Sequence, residues 1–186
     1  MNALANLSLT AAMALSEKKF WVAFIDAEYD KMYSIILVYE GDYEEPWTRF
    51  DIPRIIDSVT GWIDEDGKPV IFIKSDEGDV YDLSAGAAPQ HSKVEGTGVY
   101  GEDAAGLGYT NRIVSIGNTS LITGHNSQLY IRKDGRWTWF NREKLPLPDD
   151  DFDHLVFGAV AGLSLDDVYM TVTCIPKQSG RKLTEE

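Results

Sequence analysis

The chain carries a single cysteine, Cys174, among 186 residues, so no disulfide can form within it. No Cys/His cluster has the spacing of a zinc site, which excludes a structural zinc module. Nor does any run approach the ~18 apolar residues of a membrane span, and no membrane association is expected. The opening stretch Met1–Ser16 lacks a basic leader region and is interrupted by Asn2, Asn6, Ser8 and Thr10, so no signal peptide is expected. A cytoplasmic location follows from these absences. Basic residues are also scarce, with 17 Lys and Arg against 30 Asp and Glu, for a net charge of -13. Such a field repels phosphate backbones and disfavours nucleic acid as a partner, while it attracts a basic protein. The Trp-Asp dipeptide of WD40 repeats does not occur.

What is present is the composition of a folded domain, 44% apolar and 11% aromatic, long enough for a real core. It is also repetitive. Trp47-Thr48-Arg49-Phe50 returns as Trp137-Thr138-Trp139-Phe140, an offset of two units of about 45 residues. Val70–Ile73 followed by Asp79-Val80-Tyr81 resembles Ser120–Thr123 followed by Gln128-Leu129-Tyr130, and Phe157–Ala161 followed by Asp167–Met170 starts another copy.

The clearest unit runs from Asn111 to Asn141. It reads as strands at Arg112–Ile116, Ser120–Thr123, Gln128–Arg132 and Arg136–Phe140, with turns at Gly117-Asn118, Gly124–Ser127 and Asp134-Gly135. Phe20–Ile25, Tyr33–Glu40 and Trp47–Ile52 fit as strands of a first unit. Val59–Ile63, Val70–Lys74 and Val80–Leu83 fit as strands of a second, turned at Asp66-Gly67 and Glu77-Gly78.

The expectation is an all-β protein of repeated four-stranded antiparallel sheets. Its repeat domain spans 19–172, in units of about 19–57, 58–96 and 97–146 and an incomplete one at 155–172. Residues 1–18 form an N-terminal segment whose Leu4, Leu7, Ala11 and Leu15 have helical spacing and predict one short helix. An irregular tail, 173–186, closes the chain. Trp137, Tyr130 and Phe140, with Trp47, Tyr81 and Phe50, are expected to pack between the sheets.

Asp166-Asp167-Val168-Tyr169, and Leu129-Tyr130-Ile131-Arg132-Lys133-Asp134-Gly135-Arg136-Trp137, resemble the blades of bacterial β-propellers. The resemblance covers roughly residues 20–172. It implies a small or partial propeller, in which each blade must stack on a neighbour because alone it cannot bury both faces. Three units and a half fall short of the roughly four blades a propeller needs, so either the N-terminal segment supplies the missing strands, or the chain is half of a larger ring whose open edges a homo-oligomer would pair, or the array is open and curved.

Several motifs point to chemistry only weakly. Asp64-Glu65-Asp66-Gly67 opens like a calcium loop but meets Ser75 where the twelfth ligand belongs, and reads as a hairpin turn. Gly101–Gly108 is glycine-rich, yet carries two acids and no lysine where a phosphate cradle needs the reverse; it reads as a mobile loop. His91, His125 and His154 lie in different units, and no serine sits in a nucleophile elbow. No catalytic residue and no cofactor is therefore assigned. The strongest binding signal is acidic. Asp149, Asp150, Asp151 and Asp153 follow Pro146 and Pro148 in a connection, and Tyr43, Glu44 and Glu45 form a second acidic loop with an aromatic anchor.

Together these features favour a non-enzymatic, protein-binding role. Its most specific form is a cytoplasmic immunity protein that neutralises a basic bacterial toxin such as a nuclease effector, since some bacterial immunity proteins resemble small propeller or blade-repeat proteins. The alternatives are a small carboxylate-dependent hydrolase, or a structural fragment that completes a propeller by oligomerising.

Overall fold

The computed structural model describes residues 7–26, 33–84, 89–140 and 152–176. Among them there is no helix, and so none long and apolar enough to cross a membrane. Fourteen strands form four antiparallel sheets, each a simple meander. Sheet I contains β1 (Leu7–Ser16), β2 (Lys19–Asp26), β3 (Ser34–Glu40) and β4 (Trp47–Ile52). Sheet II contains β5 (Ile56–Ile63), β6 (Pro69–Ser75), β7 (Asp79–Asp82) and β8 (Gln90–Lys93). Sheet III contains β9 (Thr110–Ile116), β10 (Thr119–Gly124), β11 (Leu129–Lys133) and β12 (Arg136–Trp139). Sheet IV has only β13 (Phe152–Ser164) and β14 (Asp167–Pro176).

The sheets stack in chain order. Their principal contacts run through the first strand of each: β1 on β5, β5 on β9, β9 on β13. Each interval holds one apolar cluster. Trp21, Ile36, Ile71 and Ile73 fill the space between sheets I and II. Phe72, Val80, Ile113, Ile122 and Tyr130 lie between II and III. Leu121, Ile131, Leu155 and Phe157 lie between III and IV. Strands β6 and β10 are therefore covered on both faces. Accordingly β6 reads as a continuous apolar run, Pro-Val-Ile-Phe-Ile, and β10 sets Leu121 beside Ile122 between the fully buried Ser120 and Thr123 rather than alternating.

Small polar groups on the first strands stitch the stack. The Ser58 hydroxyl accepts from the Ile113 N–H at 3.1 Å and donates to the Ile113 carbonyl at 3.4 Å, and the Thr60 hydroxyl donates to Ser115 Oγ at 3.0 Å. Thr123 Oγ1 donates to the Gly158 carbonyl at 3.0 Å, joining sheet III to sheet IV.

Four expectations change. From Leu7 the N-terminal segment is a strand, not a helix, while Leu4 lies outside the described residues: β1 pairs with β2 and completes sheet I as a four-stranded unit. The chain after Val172 is not irregular from the outset, because β14 continues to Pro176. Cys174 pairs there with Leu155 and packs into the cluster between sheets III and IV. Gly101–Gly108 is tied down. Gly98 and Gly108 form a bridge, and the Gln128 side chain, fully buried, donates to the carbonyls of Leu107, Gly108 and Tyr109. Finally, Tyr130, Phe140, Trp137, Tyr81 and Phe50 do pack between sheets, but Trp47 is 52% exposed. The Asp64 turn is a hairpin, as its sequence suggests. Asp64 Oδ1 accepts from the N–H of Asp66 (3.0 Å) and of Lys68 (2.7 Å), and Gly67 supplies the left-handed φ of 77°.

Candidate functional site

Tyr43, Glu44 and Glu45 lie in the connection between β3 and β4. The loop is folded back on itself: the Glu40 N–H donates to the Pro46 carbonyl at 2.8 Å, and the Tyr43 N–H to the Glu40 carbonyl at 3.2 Å. It is also tied to the neighbouring β1–β2 turn, where the Gly41 N–H meets the Lys18 carbonyl and Lys18 pairs with Asp42 at 3.0 Å. Hydrogen bonding to Asp42 raises the Lys18 pKa. Lys19 reaches Glu40 at 3.9 Å. Both lysines at this corner thus face a carboxylate, while Glu44 and Glu45 are exposed and make no ion pair among the described residues. Tyr43 is 63% exposed. The corner presents net negative charge around an outward aromatic ring.

Behind the loop lies the outer face of sheet I, the face turned away from sheet II. Its cross-strand rows follow from the register: Ala14, Phe20, Tyr39 and Trp47; Ala12, Val22, Leu37 and Arg49; Leu9, Phe24, Ile35 and Asp51. Ten of these twelve side chains are apolar or aromatic. Phe20 stacks on Tyr39 at 4.8 Å, and Trp47 meets Phe20 edge-on at 5.5 Å and Tyr39 at 5.0 Å. Arg49 and Asp51 pair at 2.9 Å at the β4 margin, with the Tyr33 hydroxyl 3.3 Å from Arg49. Hydrogen bonds from Tyr33 and Arg49 hold the Asp51 pKa below the usual carboxylate range. An antiparallel sheet with one solvated face alternates apolar and polar residues; β2 and β3 do not. They carry the both-faces-buried pattern of β6 and β10, but none of the principal contacts between sheets covers this side.

The other predicted patch cannot be placed beside this one. Asp149, Asp150 and Asp151 lie outside the described residues. Asp153 lies on the backbone of β13, and its side chain is outside the described set.

A third cluster is one that sequence reasoning did not single out. The Lys74 ammonium, 0% exposed, contacts Asp57 at 2.8 and 3.0 Å. It also donates to the Ser75 carbonyl at 2.8 Å and to the Thr110 hydroxyl and carbonyl at 2.9 and 3.1 Å. Burial pushes the Asp57 carboxyl up to about 6 despite the nearby ammonium, and burial lowers the Lys74 pKa.

Nearby, Asp79 accepts from Arg54 Nε at 2.9 Å and lies 2.8 Å from His91 Nε2. Burial opposes its ionisation, but the His91 and Arg54 hydrogen bonds outweigh that and keep its pKa low. The Glu77 carboxylate accepts from the N–H groups of Val99 and Tyr100 at 3.0–3.1 Å. Gly98, at φ 86°, lets that loop close over it, because a Cβ there would meet the carboxylate.

Lys74 ties sheet II to the first strand of sheet III, and Arg54 ties β7 to the connection leading out of sheet I. Every one of these charges is engaged in holding neighbouring segments together. The only sequence signal for the cluster was a lysine inside an apolar strand.

Among the described residues no group of three or more His, Cys, Asp or Glu side chains is arranged to hold a metal ion. His154 Nδ1 contacts Asn126 Oδ1 at 2.8 Å, a surface link between sheets III and IV. Compared with protein-family models and with curated proteins, the chain matches none of them.

Proposed function

We propose that this protein is a non-catalytic binding module of partial-propeller type that engages a basic protein partner in the cytoplasm, a toxin in the immunity reading. The observation that carries the proposal is the corner of sheet I, where the exposed Tyr43 and Trp47 stand beside Glu44 and Glu45, whose carboxylates are unpaired among the described residues. Exposed aromatics that become desolvated on docking supply most of the affinity in protein interfaces, and a one-signed charged rim speeds encounter and fixes orientation. The net charge of -13 extends the same field over the whole molecule. Asp149, Asp150 and Asp151, from the connection between sheets III and IV, and Asp153, at the start of β13, would reinforce that field.

The test is affinity capture from the native cell with the wild-type chain and with the triple variant Tyr43→Ala/Glu44→Gln/Glu45→Gln. The proposal expects a basic protein retained by the wild type and lost by the variant. An acidic partner, or equal retention by both, would overturn it.

A further inference from the structure

We propose that the outer face of sheet I is covered by a second copy of this chain, through the outer face of that copy's sheet IV.

The stack has a direction. In each interval the forward face of one sheet meets the backward face of the next: I on II, II on III, III on IV. Two faces are left over among the described sheets, the backward face of I and the forward face of IV. These are the two halves of the interface already built three times within the chain.

The backward face of I bears the apolar rows described above, on strands patterned for burial on both sides. The forward face of IV carries Val156, Ala159, Ala161, Tyr169 and Ile175. Tyr169 is 71% exposed, and neighbouring Leu163 at the hairpin end is 90% exposed. Tyr169, Leu163 and Ile175 are the exposed apolar part of this face, set among the polar His154, Thr171 and Thr173.

The first strands also match. At one of the three intervals, β5 on β9, close approach is made by small polar side chains: Ser58 bonds to the Ile113 backbone and Thr60 to Ser115. At the two free faces the corresponding positions are Ala12 and Ala14 on β1, and Ala159 and Ala161 on β13. Again no bulky group holds the strands apart.

The footprint follows from sheet IV itself. Strand β13 lies on β9 and β10, and β14 stands over an open groove of about 630 Å³ lined by Met170 and Val172 opposite Leu129, Ile131 and Phe140. Placed on sheet I in the same way, β13 covers β1 and β2, and β4 with the Tyr43 loop stays free. Self-association is thus separate from binding of a basic partner, and either can fail without the other. The contact is head-to-tail. Two copies joined by two such contacts close a ring of eight sheets, and a rotation that does not close yields longer oligomers.

Sedimentation of the full chain tests this, using Leu9→Glu on sheet I and Tyr169→Glu on sheet IV. Both side chains are exposed, so folding is spared; Ala12→Glu and Ala161→Glu are the second pair should either first variant lose its strand circular dichroism. The wild type is expected to sediment as a dimer or larger species. Each single variant should weaken association by about tenfold or more, as loss of an interface anchor does. An equimolar mixture of the two variants should form a heterodimer, because one copy keeps an intact sheet I and the other an intact sheet IV. A wild type that stays monomeric overturns the proposal. So does a Tyr169→Glu variant that associates like wild type, which would signify sheet I pairing with itself, or a mixture that shows no rescue.

Discussion

Trp47 and Trp137 stand ninety residues apart at matching places on the fourth strands of sheets I and III, and both point backwards along the stack. Trp137 packs on the cluster between sheets II and III; among the described residues Trp47 has no sheet behind it. Their truncations should therefore differ. Trp137→Ala is expected to cost about 3 kcal/mol, in the range of large aromatic truncations in cores. Trp47→Ala should cost under about 1 kcal/mol, as at a surface site. Urea unfolding of the two variants in dilute solution measures the difference, and equal losses would show that the stack direction is misassigned.

Lys74 gives a second expectation. Replacing it by methionine leaves the Asp57 carboxylate largely buried without its cation and removes the tie to Thr110. Breaking a buried pair from one side costs about 3–5 kcal/mol. The double variant Lys74→Met/Asp57→Asn should recover part of that loss, because no lone charge remains. If the double variant is no more stable than Lys74→Met, Asp57 is not what the ammonium neutralises.

The raised pKa of Asp57 makes stability depend on pH in a definite direction. Its folded value of about 6 lies above the ordinary 3.8, so the folded state holds the proton more tightly than the unfolded chain. The resulting stabilisation is complete below the unfolded pKa and is lost as pH rises through about 6. Relative to Asp57→Asn, the wild type should therefore lose stability between pH 4 and pH 7, by roughly 2 kcal/mol at 1.36 kcal/mol per pKa unit. Parallel unfolding titrations of the two proteins would show it. A difference that is flat or rises with pH would contradict the assignment.

The acidic corner predicts a kinetic effect. Glu44→Gln/Glu45→Gln should slow association with the captured basic partner severalfold at low salt and flatten its salt dependence, because screening removes long-range steering. Unfolding should be unchanged, as neither carboxylate is paired among the described residues. Stopped-flow association over a range of salt decides this. The parallel neutralisation of Asp149, Asp150, Asp151 and Asp153 reports whether that connection joins the same field.

Much of the fold was legible because tight turns announce themselves. Gly117-Asn118, Asp134-Gly135 and Asp66-Gly67 each sit between apolar strands, and sheet III lies within two residues of its expected bounds. Strand β1 was not legible. Its inward Ala11, Met13 and Leu15 alternate with Ala12 and Ala14, so alanine on both faces hides the period of two, and a register shift between Leu9 and Ala11 disturbs what remains. Strand β8, Gln90–Lys93, is a polar margin with no apolar signal at all. At the candidate site, sequence singled out Tyr43, Glu44 and Glu45 by charge and aromaticity. The apolar face behind them escaped notice because Phe20, Val22 and Phe24 read as core until the register shows which side they occupy. The role of Lys74 was hidden for the opposite reason: its side-chain partners Asp57 and Thr110 are supplied from 17 and 36 residues away.

The single-file arrangement of the sheets also sets how the molecule comes apart. Since the principal contacts join each sheet only to its neighbours, removing an end sheet severs one interval, whereas removing a middle one severs two. In the dissociated single chain, amide protons of sheet IV, held by one interval and two strands, should exchange with solvent sooner than those of β6 or β10, which lie between two intervals. Opening then travels inward from the ends, like a row of books losing its outermost volume, and the middle sheets keep their protons until the whole row gives way.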